Sequence, residues 1–248
     1  MESYRRFLKS VGWKEWSLLE TDQRRQIPPP PVQKAPPEGA PLFDLVPPDE
    51  FTVGRMTLCE AIAKRKSHRA YTEDALTLEE LSFLLWATQG VRENIGEGRA
   101  TRRTVPSAGS RHPFETYLAV LRVQGLQPGL YRYLPLDHKL CLLRTDPELS
   151  QQVIDGCMGT PFCGKSAVTF AWTVVPYRTE WRYIHMSHKV IAIDAGHMCQ
   201  NLYLAAEAIG AGACAVGAYA QELMDRVLGV DGTEEFTVYV APVGKVKP

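Results

Sequence analysis

The chain has no charge bias: 28 Lys plus Arg face 28 Asp plus Glu, a formal net charge of zero. That argues against nucleic acid or an anionic membrane as its main partner, since both demand a strongly basic face. Its six cysteines (Cys59, Cys141, Cys157, Cys163, Cys199 and Cys214) form no CxxC pair, so neither a structural zinc site nor a redox dithiol is suggested. The start, MESYRRFLKS, is polar and charged with no secretory signal, so the thiols are expected reduced and the protein cytoplasmic. A membrane span needs about 20 apolar residues. The one stretch of that length, 202–220, is interrupted by Glu207, Gly210, Gly212 and Gly217 and reads better as a helix-to-strand switch. HExxH and GxSxG are missing. His185 and His188 stand at i, i+3, with His197 and Cys199 beyond, but no acidic partner sits at helical spacing, so no metal is expected. No internal repeat appears.

What is present is long enough, at 248 residues and 45% hydrophobic, for a substantial core. Two regions are expected: residues 1–50, a short amphipathic helix and a proline-rich arm, and residues 51–248, the main domain. Residues 2–20 set Tyr4, Phe7, Leu8, Val11, Trp13 and Trp16 among charges. Residues 27–50 are proline-rich and run extended, pinned to a body by Phe43, Leu45 and Val46. Thr57 and Thr77 open helices, the second with Glu80 completing a capping box. A Gly- and Arg-rich loop is expected over 92–112. Strands are expected over 115–123, 167–175, 213–219 and 235–244, and a hairpin over 129–144 turning at Pro135–His138. Helices are expected over 147–158, 188–209 and 221–229, the last ending at Gly229. The class is α+β, with a mixed or antiparallel sheet flanked by helices.

Four stretches carry chemistry. In RKSHR (65–69), Arg65, Ser67 and Arg69 alternate, so an extended chain turns all three one way, as a fork for phosphate. The plain alternative is a solvated helix end. RTVPSAGSRHP (103–113) sets Pro106, Ser107 and Ser110 in a defined polar loop before a strand, either ligand-contacting or an ordinary turn. In AIGAGACAVGAY (208–219) the order is helix, glycines, strand. That inverts the dinucleotide fingerprint, and it leaves Val216, Gly217 and Ala218 able to present backbone to a flat heterocycle. Tight helix–strand packing is the simpler reading. Lys245 and Lys247 follow the last strand as late cations, or are merely solvated.

Taken together and in this order, RKSHR, VPSAGSRHP, GLYRY, DAGHMCQNLYLAAEAIG and the late APVG resemble the flavin-dependent nitroreductase family over residues 56–244. They are nearer its SagB-type branch, the dehydrogenases associated with thiazole- and oxazole-containing peptides. The resemblance implies an α+β nitroreductase-like fold, an intertwined homodimer and FMN at the subunit interface. It places Arg65 at the phosphate, Ser67 at the phosphate or ribityl chain, and Arg69 near the pyrimidine edge. Pro106, Ser107 and Ser110 would reach the flavin from the other subunit, Val216, Gly217 and Ala218 would face N5 and O4, and Lys245 would be a late phosphate cation. The peptide dehydrogenases often carry a Lys-Tyr pair where this chain has Arg182-Tyr183, and arginine is a poor base. These two are the only candidates for a catalytic side chain. The implied activity is a ping-pong hydride transfer from NAD(P)H to an electron-poor small molecule. A peptide azoline dehydrogenase and a flavin-binding module without turnover are the alternatives.

Overall fold

In the computed structural model the described residues are 2–96 and 98–247. Met1, Glu97 and Pro248, which fall in the expected arm, loop and main domain, lie outside them, as does the Tyr4 side chain.

The chain begins with α1 (Glu2–Leu8), far shorter than the 2–20 stretch. The helix is over by Leu8; Gly12 follows in the left-handed region at φ +87°, and Trp13 and Trp16 then pack on the body. The proline-rich arm runs extended, as its fixed φ angles and missing donors require. It contributes the edge strand β1 (Leu42–Asp44) and a 3-10 turn at Pro48–Glu50. Phe43 meets Tyr131 edge-on at 5.8 Å and Leu45 is buried, so the expected apolar pins hold.

α2 (Leu58–Lys64) and α3 (Leu78–Gln89) both start on complete capping boxes, Thr57 with Glu60 and Thr77 with Glu80. The expected 92–112 loop contains instead a hairpin, β2 (Val91–Ile95) and β3 (Ala100–Arg103), paired Ile95 to Ala100 and Val91 to Arg103. Apolar alternation is faint there because Thr101 and Arg103, not hydrocarbons, are the buried side chains of β3.

Next come β4 (Phe114–Val120), β5 (Gly129–Leu134) and β6 (Lys139–Arg144), then α4 (Leu149–Gly156) and α5 (Pro161–Gly164). β7 (Val168–Val174), α6 (Tyr177–Tyr183), α7 (Ser187–Ala208), β8 (Ala211–Ala213), α8 (Gln221–Leu228) and β9 (Phe236–Lys245) complete the chain. Gly229 ends α8 in the left-handed conformation at φ +73°.

Seven strands form one sheet in the order β1-β6-β5-β4-β7-β9-β8, and every pair of neighbours is antiparallel. Among the described residues, parallel character is confined to single bridges at Ser67–Ala213 and Leu76–Val123. Alternation divides the sheet's two faces. Leu118, Val120, Phe170 and Trp172 enter the core under α3 and α7, while Tyr117, Ala119 and Ala171 enter the one with α4, α5 and α8. Burying both faces explains why β4 and β7 read as continuous apolar runs. Among the described residues no helix is long and apolar enough to cross a membrane.

The expected strand at 213–219 forms earlier, at 211–213, because Gly212 has no side chain. A Cβ there would stand 2.5 Å from the His68 ring. His68 covers the strand edge through His68 N–H to Ala213 O at 2.9 Å, and beyond β8 the chain stays bonded to β9 through Cys214 N–H to Pro242 O at 3.2 Å and the Val216–Val240 bridge.

Candidate functional site

RKSHR leaves α2 and lies along the edge of β8. Lys66, Ser67 and Arg69 are exposed and Arg65 is half-buried, so exposure does not follow the expected alternation; His68 packs on Gly212. The Arg65 guanidinium lies over the Tyr203 ring, 5.3 Å from its centroid. Ser67 Oγ is 2.9 Å from the Tyr203 hydroxyl, which itself accepts the Ala215 N–H at 2.7 Å. A hydroxyl has one proton. When Tyr203 donates it to Ser67, the Ser67 proton is left for an anion. Tyr203, one residue in an alanine-rich helical stretch, gave no signal in the sequence. It nevertheless joins the cationic end of the site to the backbone that follows β8.

Two residues past Ala215 that backbone reaches Gly217, which opens on a cavity of about 600 Å³ between α7 and the start of β9. Ile191, Ala195, Phe236 and Tyr239 make its walls largely apolar. Gly217 is exposed, and a Cβ built on it would meet nothing within 4 Å. Packing does not demand glycine here; its bareness leaves room for a flat group against the main chain. Ala218 is exposed beside it. Val216 differs from the expectation: its N–H donates to Val240 O at 2.7 Å, so that amide is already engaged.

Lys245 also has a partner. Its ammonium donates to Glu80 Oε1 at 2.5 Å and to Ile209 O at 3.1 Å, tying the last strand to the cap of α3. The carboxylate that completes the α3 capping box therefore holds the cation expected at the phosphate.

The loop carrying Pro106, Ser107 and Ser110 does not line the cavity of its own chain. Ser107 Oγ donates to Asp194 Oδ2 at 2.7 Å and accepts the His112 N–H at 2.9 Å, and Ala108 N–H also reaches Asp194 at 3.0 Å. Ser107 is thus the clasp that fixes the loop to α7, and burial lifts the Asp194 carboxyl above its ordinary range despite those bonds. Gly109 and Ser110 take positive φ values of 60° and 55°. A Cβ at Gly109 would lie 2.8 Å from Arg182 Cδ, so glycine is needed for that approach. Arg182 and Tyr183 therefore brace this loop, Tyr183 packing against Trp13 at 5.8 Å and Trp16 at 6.1 Å. Neither lines the cavity beside Gly217. His188 Nε2 pairs with Glu180 Oε1 at 2.9 Å.

Helices packed on both faces of an antiparallel central sheet make this a nitroreductase-like fold. The chain belongs to the nitroreductase family, whose model matches residues 62–245. It is 30% identical over 193 residues to the Methanocaldococcus jannaschii protein named "Putative nitroreductase MJ1384", covering 78% of this chain and 93% of that one. It is 28% identical over 170 residues to the Trifolitoxin-processing protein TfxB of Rhizobium leguminosarum bv. trifolii, covering 66% of this chain but only 46% of TfxB. A solved structure from Ralstonia eutropha JMP134, described in the same terms as the first relative, superposes with a TM-score of 0.68 at 27% identity, over 89% of this chain and 99% of that one.

Proposed function

We propose that the protein is an FMN-dependent oxidoreductase that works as a homodimer and carries electrons from NAD(P)H to an electron-poor small molecule. The observation that carries this reading is the contact chain Arg65–Tyr203–Ser67–Ala215, ending at the Gly217 cavity: a cationic tip at one end, a bare backbone and apolar wall at the other. Those residues fit a phosphate-tailed flat ring. Arg65 and Ser67 hold the phosphate, Arg69 adds positive charge beside Cys214, and Gly217 and Ala218 present main chain to the ring. Lys245 and the Val216 amide, already paired, serve the frame instead. Bound FMN supplies hydride transfer; the chain supplies position, a positive field and a wall that keeps water off the ring.

A second copy suits the exposed apolar side chains Leu58, Ile62 and Ile193, at 66%, 58% and 48% exposure. It also suits the 106–110 loop, which is rigidly clasped yet absent from its own cavity. In the dimer, Pro106, Ser107 and Ser110 belong at the partner's cavity. The relationship to TfxB supports a second reading, oxidation of a peptide azoline, with electrons flowing from substrate to flavin. Against it, Arg182 occupies the position of the expected base, arginine is a poor general base, and this side chain packs on Gly109.

The test is an absorption spectrum of the purified protein with added FMN, followed by anaerobic NADPH or NADH. Retention of yellow colour, bleaching by nicotinamide and loss of both in Arg65→Ala/Ser67→Ala are expected. A protein that never takes up FMN refutes the reading. A yellow protein that neither nicotinamide bleaches refutes NAD(P)H linkage.

A further inference from the structure

His188, in the first turn of α7, lines two cavities: the one beside Gly217 and a second of about 340 Å³ toward the N-terminus. Arg6 and Lys9 form one wall of the second, and His185 and Lys189 the other, with Val11 and Trp13 between them. Among the described residues, none that line it is acidic. Glu180, which does not line it, pairs with His188 Nε2 at 2.9 Å. Lys189 Nζ donates to Leu8 O at 2.6 Å and Ser10 Oγ at 3.2 Å, which clamps the N-terminal segment against α7 and makes it a wall rather than a loose tail. The cations Arg6 and Lys9, with the His185 ring opposite, face a shared space that the Trp13 ring borders. Like charges concentrated around one concavity raise its potential and draw in an anion. The chain as a whole has no net charge, so this concentration is local.

We infer that this basic pocket binds the phosphate or carboxylate of the molecule whose reactive end enters the Gly217 cavity, so that Arg6, Lys9 and His185 select anionic partners for the site. The inference rests on the oxidoreductase reading for what enters that cavity. The pocket suits one anionic group with part of a ring against Trp13, and not an extended chain. Such a group comes either from a nicotinamide donor, as its phosphates, or from the acceptor, as a carboxylate or phosphate.

The experiment begins with calorimetric titration of the full chain by inorganic pyrophosphate, with and without FMN. Arg6→Gln/Lys9→Gln is expected to weaken binding about tenfold or more, as loss of charge-assisted bonds does. Wild-type binding should also fall with added salt. Arg6 and Lys9 are exposed, so the variant keeps its melting temperature, and His185→Gln tests the opposite wall. Two ratios then separate the sources. A wild-type preference for NADPH over NADH that disappears in the variant assigns the pocket to the donor. A preference for 4-nitrobenzoate over 4-nitrobenzamide that disappears assigns it to the acceptor. Equal pyrophosphate affinity in wild type and variant overturns the inference, as does a variant that leaves both ratios unchanged. Pyrophosphate binding needs no flavin, so failure to take up FMN would refute the functional reading and leave this result to be judged separately.

Discussion

Replacing Glu115 should unfasten the proline-rich arm and cost much of the protein's stability. Glu115 sits on β4 with 2% of its side chain exposed. Its Oε1 accepts Arg178 Nη2 at 2.5 Å and the Lys34 N–H at 2.8 Å, and its Oε2 is 3.9 Å from Arg132 Nε. Arg132 continues to the arm, donating to Lys34 O at 3.1 Å and Ala35 O at 2.6 Å, while Arg103 donates to Val32 O at 2.9 Å. A buried ion pair adds little net stability over hydrocarbon, but losing one member leaves an uncompensated buried charge, at about 3–5 kcal/mol. Glu115→Gln leaves Arg178 and Arg132 in that condition. Glu115→Ala also removes the acceptor of the Lys34 N–H, which adds about 1–3 kcal/mol. Against a typical total of about 5–15 kcal/mol, either change is large. Urea unfolding at fixed protein concentration measures the loss, and limited trypsin digestion at Lys34–Ala35 reports release of the arm. If Glu115→Gln unfolds within about 1 kcal/mol of wild type and Lys34–Ala35 is cut no faster, the lattice does not hold the arm and the reasoning fails.

His112 gives a pH prediction. Burial, with help from Arg103 and Arg111, pushes its pKa down to about 3. The unfolded chain therefore takes up a proton at this site near pH 6.5 while the folded one does not, so the contribution is whole above about pH 6.5 and is lost as the pH falls toward 3. His112→Asn tolerates the positive φ of 43° and should flatten the acid side of the stability profile; an unchanged acid slope would refute the assignment. Tyr203→Phe removes the hydroxyl shared by Ser67 and the Ala215 N–H. It should lower FMN affinity about tenfold, and stability by about 1–3 kcal/mol if water does not replace the hydroxyl. Unaltered flavin affinity, measured by fluorescence quenching, would remove Tyr203 from the site.

Elements whose formation depends on local signals were legible. The two capping boxes, the hairpin turning after Leu134 and the left-handed Gly229 announce themselves within a few residues. The two-sided sheet was legible as well, because β4 and β7 had to be apolar throughout. What escaped depends on partners distant in sequence. β8 is displaced by a His68 ring more than a hundred positions away, β3 turns a buried arginine toward the arm, and Lys245 is claimed by a helix cap. Of the site, RKSHR and Gly217 could be read as residue types that suit a phosphate and a ring. Tyr203, which connects them, could not, since a tyrosine among alanines looks like packing until its hydroxyl is seen between two partners.

The balanced charge now has a physical account. Arginine does two opposed jobs in this fold. Arg103, Arg132 and Arg178 are buried, 2–3% exposed, and their bonded donors go to acceptors the fold supplies: Glu115, carbonyls of the arm and, for Arg103, Thr101 and Gln89 as well. Such groups are too enclosed to greet a ligand. Arg65 and Arg69 stand at the other extreme, at a helix end and on an extended edge, with only an aromatic face under Arg65. A cation held over a ring keeps its hydrogen-bonding edge unspent, because the π face attracts charge without accepting the N–H directions. Counting arginines therefore says nothing about where anions bind. The distinction lies in acceptors: where carboxylates and carbonyls are supplied by the fold, the arginine is architecture, and where the fold supplies only a tyrosine ring, the acceptor must come from outside.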